Sequence, residues 1–154
     1  MRVVVAVVGK PRHAELREAI ADYQTRAARY WPLEVHEVKE ENASSLAPAE
    51  VKRREAKRLR EKIPAGARII ACDAGGERKT SEQFASLLNS SRDEARDLAF
   101  VIGGAFGLGD EIATAAASKL SLAPFTLPHE LARLVLTEQI YRAGTIVRGE
   151  PYHK

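Results

Sequence analysis

Apolar and polar positions change period repeatedly along this chain, and the changes predict strands and helices in turn. Residues 1–8 are a nearly unbroken β-branched run, the pattern of a central strand covered on both faces. Gly9-Lys10-Pro11 breaks it. From residue 12 to 29 the spacing is helical, with Leu16, Ala19, Ile20, Tyr23 and Ala27 on one face. Pro32 stops that helix, and residues 33–38 alternate as a second strand. Pro48 opens a charged helix to about residue 63, and a third strand spans 68–73 with Gly75-Gly76 after it. Thr80-Ser81-Glu82-Gln83 has the form of a capping box for a helix to about residue 90. Residues 98–102 read as a fourth strand ending in Gly103-Gly104, and Asp110 is placed to cap a helix over 111–119. A short apolar stretch, 120–127, is interrupted by Pro124, and a last helix covers about 130–143. Strands alternating with helices predict a single α/β domain over residues 1–154, with a mainly parallel sheet flanked by helices.

The last helix is apolar nearly all round, so it is buried on more than one side, either in the core or at a subunit interface. With 45% apolar and 29% charged residues the chain is expected to fold rather than stay disordered. No apolar run approaches the roughly 18–20 residues of a bilayer span, and the N-terminal run lacks the features of a signal peptide. The single cysteine, Cys72, excludes an internal disulfide and fits a reducing compartment, so the cytoplasm is the expected location and no membrane partner is expected. A net charge of +3 permits an anionic partner without requiring one.

Several motif classes fail. Gly103-Gly104-Ala105-Phe106-Gly107-Leu108-Gly109 follows a strand but lacks G-x-G-x-x-G spacing, which argues against a nucleotide-binding oxidoreductase. Arg78-Lys79-Thr80 has arginine where a P-loop needs glycine, and no metal is expected because the four histidines are scattered. What remains is three segments that follow or flank the C-terminal strands: Cys72 to Gly76, Ile102 to Leu108, and Leu122 to His129. Ligands of open α/β sheets bind beyond the carboxyl ends of strands, and paired glycines let backbone approach a flat ligand. By themselves these residues support an adenosine-like ligand, or merely turn glycines and a core strand.

Ile-Gly-Gly-x-x-Gly-Leu, Leu-x-x-x-Thr-Leu-Pro-His, Glu-Gln-x-Tyr-Arg-Ala and a terminal Pro-Tyr-His-Lys, in this order over the whole chain, resemble one family. It is the large-subunit ribosomal RNA pseudouridine N3-methyltransferase family, the minimal members of the SPOUT superfamily. The resemblance implies an α/β knot, in which the C-terminal segment threads a loop to make a trefoil, a topology pattern reasoning alone rejects. It implies a homodimer, with the last helix at its interface, that uses S-adenosylmethionine to methylate N3 of a pseudouridine in 23S rRNA of assembled ribosomes. Cofactor contacts are then expected at Cys72, Gly103, Leu122, Ala123, Pro124, Phe125, Thr126 and Leu127. Cys72 stands where the family leads one to expect a larger aliphatic residue, and it also reads as an ordinary core cysteine.

Such a reaction needs the N3 proton removed and negative charge stabilised. The candidates are His129, Arg142, Tyr152 and His153, the last two in a tail that in a dimer could reach the partner's pocket. Each has a plainer role: His129 packing the final helix, Arg142 pairing with Glu138 four residues earlier, and the tail residues as an inert terminus. The helix over residues 50–62 is rich in Lys and Arg and reads as an RNA patch or as a solvated face with internal pairs. Trp31 reads as a base-stacking residue or, beside Pro32, as core. The competing functional class is a non-catalytic ribosome- or RNA-binding α/β module.

Overall fold

The computed structural model describes the backbone of residues 1–153 and the side chains of residues 1–152. Five strands, β1 (Val3–Val8), β2 (Leu33–Val38), β3 (Arg68–Arg78), β4 (Leu98–Ile102) and β5 (Ser118–Ser121), form one sheet in the order β2-β1-β4-β3-β5. Every neighbouring pair is parallel, with Val3 opposite Leu33 on one side and Leu98 on the other. The helices are α1 (Ala14–Ala27), α2 (Pro48–Arg60), α3 (Ser81–Asp93), α4 (Asp110–Ala115) and α5 (His129–Val147), followed by a 3-10 turn, Pro151–His153.

The unbroken apolar run of β1 follows from two covered faces. Val3, Val5 and Val7 join one cluster with Trp31, Phe84, Phe100, Leu136 and Ile140, under α1, α3 and α5. Val4, Ala6 and Val8 join the other with Ala56, Leu59 and Ile112, under α2 and α4. Thr80 caps α3 as a reciprocal box: its side chain accepts from the Gln83 amide at 3.2 Å, and its own amide donates to Gln83 Oε1 at 2.9 Å. This arrangement of five parallel strands between two helical layers is consistent with the α/β-knot class.

Four elements from β3 onward differ from the sequence expectation in ways that bear on the C-terminal loops. β3 does not end at residue 73 but continues to Arg78, interrupted by a break in its ladder with β5: Cys72 and Glu77 are both opposite Leu120, so residues 73–76 leave the ladder. Gly76 is held against β5 so closely that a Cβ would lie 2.7 Å from the Leu120 backbone. Gly109, not Asp110, is the cap residue of α4, and the helix stops at Ala115 because Ala116 turns extended. Residues 118–121 then form β5, a four-residue strand too short and too polar for an apolar-run criterion to find. α5 extends past residue 143 to Val147, its Gly144 leaving room for the Tyr30 ring from the turn that follows α1.

Candidate active site

The break in β3 after Cys72, the carboxyl ends of β4 and β5 and the start of α5 enclose a cavity of about 480 Å³. Its wall is the 72–74 segment, the 102–108 turn, the 122–127 stretch and the first residues of α5. Of the residues expected at a cofactor, Cys72, Gly103, Leu122, Ala123, Phe125, Thr126 and Leu127 line this space, while the exposed Pro124 stands outside it. Sequence reasoning did not single out Asp73, which also lines it; its position directly after Cys72 was the available signal. Among the described residues the lining contains no Lys or Arg, so its one carboxylate faces an otherwise neutral wall apart from His129.

Gly103 serves the cavity differently from the way its sequence context suggests. A Cβ there would fall 2.6 Å from the Gly107 carbonyl carbon and 2.8 Å from the Leu108 nitrogen. The glycine therefore closes the turn onto itself, with Gly107 at φ +81 and its amide bonded to the Gly104 carbonyl at 3.0 Å. The Cys72 thiol is pushed up to about 12 by burial, only partly offset by a hydrogen bond from the Val101 backbone. It is a neutral, apolar part of the wall and not a nucleophile.

His129 is the first residue of α5 and reaches the cavity, but its Nε2 is buried with no partner among the described residues. Gly9, at φ +80, leaves room there: its Cβ position is 3.7 Å from His129 Nε2. The next residue, Glu130, ties this corner together by accepting the Arg12 amide at 3.0 Å. That backbone donor, aided by the His13 amide, holds the Glu130 carboxyl below its usual range.

Arg142 and Tyr152 lie elsewhere. Thirteen residues of helix separate His129 from Arg142, roughly 20 Å along the axis. Arg142 Nε and Nη2 donate to Glu138 Oε1 at 3.0 and 2.7 Å, and the Tyr152 hydroxyl donates to the same oxygen at 3.1 Å. The Arg142 guanidinium sits 4.8 Å from the Tyr152 ring centre, and Tyr152 packs on Tyr141 at 4.6 Å. Burial, with the Tyr23 hydroxyl and Glu138 beside it, raises the Tyr152 phenol above its ordinary range. The ion pair with Glu138 is thus formed, and the tail through Tyr152 is docked rather than frayed. The His153 side chain lies outside the described residues. Glu138, the hub of this cluster, was legible only as the pairing partner of Arg142.

Trp31 is core: it is buried, and its indole Nε1 donates to the Ile140 carbonyl at 3.0 Å. On α2, Arg53 and Arg54 both engage Glu50, whose carboxyl they lower to about 2, and Arg58 pairs with Glu41. Among the described residues Lys52, Lys57, Arg60 and Lys62 make no ion pair.

A cavity of glycine turns at the carboxyl ends of parallel strands, walled by the segment before the last helix, agrees with the comparison to known proteins. Residues 1–153 match the family described as "Predicted SPOUT methyltransferase". The chain belongs to the SPOUT methyltransferase family. It is 58% identical over 154 residues to a Gemmatimonas aurantiaca protein named Ribosomal RNA large subunit methyltransferase H, covering 100% of both chains. Proteins of the same name from Syntrophotalea carbinolica and a Geobacter species are 44% and 42% identical, with 99% of each chain covered. As a SPOUT methyltransferase the chain is an enzyme, and no described helix is long and apolar enough to cross a membrane.

Proposed function

We propose that this SPOUT methyltransferase, a single domain over residues 1–154, moves the methyl group of S-adenosylmethionine to N3 of a pseudouridine in 23S rRNA of assembled ribosomes, acting in the cytoplasm as a homodimer. The observation that carries the cofactor reading is the 480 Å³ cavity, within the roughly 300–1,000 Å³ usual for small-ligand sites. Its lining is mostly apolar, contains Asp73 and lacks Lys and Arg among the described residues, which suits a sulfonium cation and opposes a pyrophosphate. The names of full-length relatives support ribosomal RNA as substrate.

Cys72, Leu122, Ala123, Phe125, Thr126 and Leu127 would hold the cofactor, with the Gly103 turn shaping the space. Bound there, S-adenosylmethionine supplies an electrophilic methyl group. The chain's part is to orient the uracil ring and take charge of its N3 proton. Arg142 stabilises the imide anion as a planar donor. His129, Tyr152 and His153 are the groups able to accept or relay the proton.

The separation of roughly 20 Å along α5 supports the dimer. One chain's cavity and its own Arg142–Tyr152 cluster are too far apart to act together, so the tail of one protomer completes the cavity of its partner. The test is incubation of the enzyme with methyl-labelled S-adenosylmethionine and intact ribosomes lacking the modification, followed by mapping of the labelled base. Label on N3 of one pseudouridine is the expected result. Ribosome binding with no cofactor affinity by calorimetry would instead identify a non-catalytic module.

A further inference from the structure

Beyond the cavity, the open edge of the sheet carries a second concavity. Lys10, Gln24, His36, Glu37, Lys62 and Arg133 line a groove of about 470 Å³ beside β2, which has a neighbour only on its β1 side. Its chemistry is lopsided. Val3 N–H donates to the Pro32 carbonyl at 2.8 Å and Gly9 N–H to the Val38 carbonyl at 2.9 Å. In a parallel ladder this alternation faces the even residues of β2 toward β1 and turns both the amides and the carbonyls of Val35 and Glu37 outward, so the strand edge itself adds donors and acceptors equally. Gln24 Nε2 and Arg133 Nε are both buried without an acceptor among the described residues, and Arg133 is only 6% exposed. Lys10 and Lys62 are exposed and make no ion pair among the described residues. Against these donors stands one carboxylate, Glu37, which accepts from Arg133 Nη1 at 2.6 Å. Three cations, Lys10, Lys62 and Arg133, and the unpaired Gln24 Nε2 meet one acid. Such a surplus of donors calls for an anionic acceptor from outside.

Arg133 follows His129 by four residues, one turn of α5, so the groove begins about 6 Å along the helix from the residue that closes the cofactor cavity. The geometry points to this groove as a phosphodiester subsite, which clamps the RNA backbone next to the nucleotide being methylated. The assignment rests on the reading of the protein as an rRNA methyltransferase. Arg133 and Gln24 give the oriented contacts, and Lys10 and Lys62 give the charge. Contacts to phosphate position the substrate without reading its sequence.

The test uses the double variant Lys10→Ala/Lys62→Ala, both positions exposed and outside the cofactor cavity, together with Gln24→Leu, which removes the buried donor while keeping its size. Methyl transfer to intact unmodified ribosomes is measured across a salt series, with S-adenosylmethionine affinity measured separately by calorimetry. The expected result is a raised KM for ribosomes with unchanged cofactor affinity. The log–log salt slope of ribosome affinity falls by about 1.4–1.8 for two lost phosphate contacts, so roughly tenfold of the wild-type salt sensitivity disappears between about 50 and about 200 mM. Gln24→Leu raises KM while leaving that slope nearly intact, because it removes no charge. Wild-type KM and salt slope in the double variant would overturn the groove assignment and leave the methyltransferase reading standing. If wild-type enzyme transfers no methyl group to these ribosomes, both fall. Competition by free inorganic phosphate as strong as that by ribosomal RNA would show a small-anion site and overturn the backbone clamp.

Discussion

The two ends of α5 are built on different principles. At its start, the cavity is made of glycine turns, a break in the β3–β5 ladder and a row of mostly apolar side chains. At its far end, the Glu138–Arg142–Tyr152 cluster is made of long polar side chains held by one another. Backbone walls bind a ligand by shape and barely react. The side-chain cluster carries charge and protons but encloses no comparable space. On the proposed reading neither half suffices alone, and a helix 19 residues long keeps them apart within one chain.

The sharpest way to break this comparison is to disable each half separately. Deleting residues 151–154 is expected to abolish methyl transfer while cofactor affinity by calorimetry stays at the wild-type value. Ala123→Arg, which puts a cation into the wall proposed to hold a sulfonium, is expected to abolish cofactor affinity. Co-expressing the two inactive chains restores part of the activity if each active site takes one half from each protomer; no restoration would place both halves in the same chain.

A large effect is also expected in the thiol chemistry of the cavity. With Cys72 pushed up from 9.0 to about 12, its thiolate fraction at pH 8 is about a thousandfold below that of a free thiol. Alkylation followed by mass spectrometry should therefore be slower by that order, and rapid labelling would mean the cavity is wetter than its apolar wall implies. Arg142→Ala removes the charge partner of Glu138 and is expected to lower kcat about a hundredfold, with Arg142→Lys rescuing little because the two-pronged contact is lost. An unchanged cofactor Kd in the same variant separates this from damage to the cavity. Gly103→Val is expected to lower stability by about 1–3 kcal/mol, read as Tm, because its Cβ strikes the Gly107 backbone. Cofactor affinity falls with it; the variant reports on the turn and not on an adenine contact alone.

The smallest effect lies away from both halves. Asp97 accepts the Arg2 amide at 2.6 Å, and that bond, with the Arg2 guanidinium, holds its carboxyl below the ordinary 3.8. A carboxyl lowered on folding stabilises the protein above its unfolded value and loses that contribution as pH falls through the folded one. Asp97→Asn should thus lower Tm slightly at pH 7, with the difference from wild type vanishing in the acid range, and should leave methyl transfer unchanged.

Much of this was written in the order of residues. The β-branched run of β1, the bounds of β4, the proline at the head of α2 and the capping box of α3 follow from local rules that act within a few residues. The three glycine-marked segments around the cavity were legible for the same reason, and so was the pairing of Glu138 with Arg142 one helical turn apart. Tertiary structure decided everything that depends on distant partners. β5 is a strand because β3 lies beside it, not because its four residues demand it. A Cβ on Gly103 would meet the Gly107 backbone because of how the turn closes, and Trp31 is buried because α5 passes over it. The groove at β2 unites residues 10, 24, 36, 62 and 133, a convergence no window of sequence contains. Local propensities act between neighbours in the chain, whereas cavities, orphaned donors and the distance between two half-sites exist only once the elements have packed.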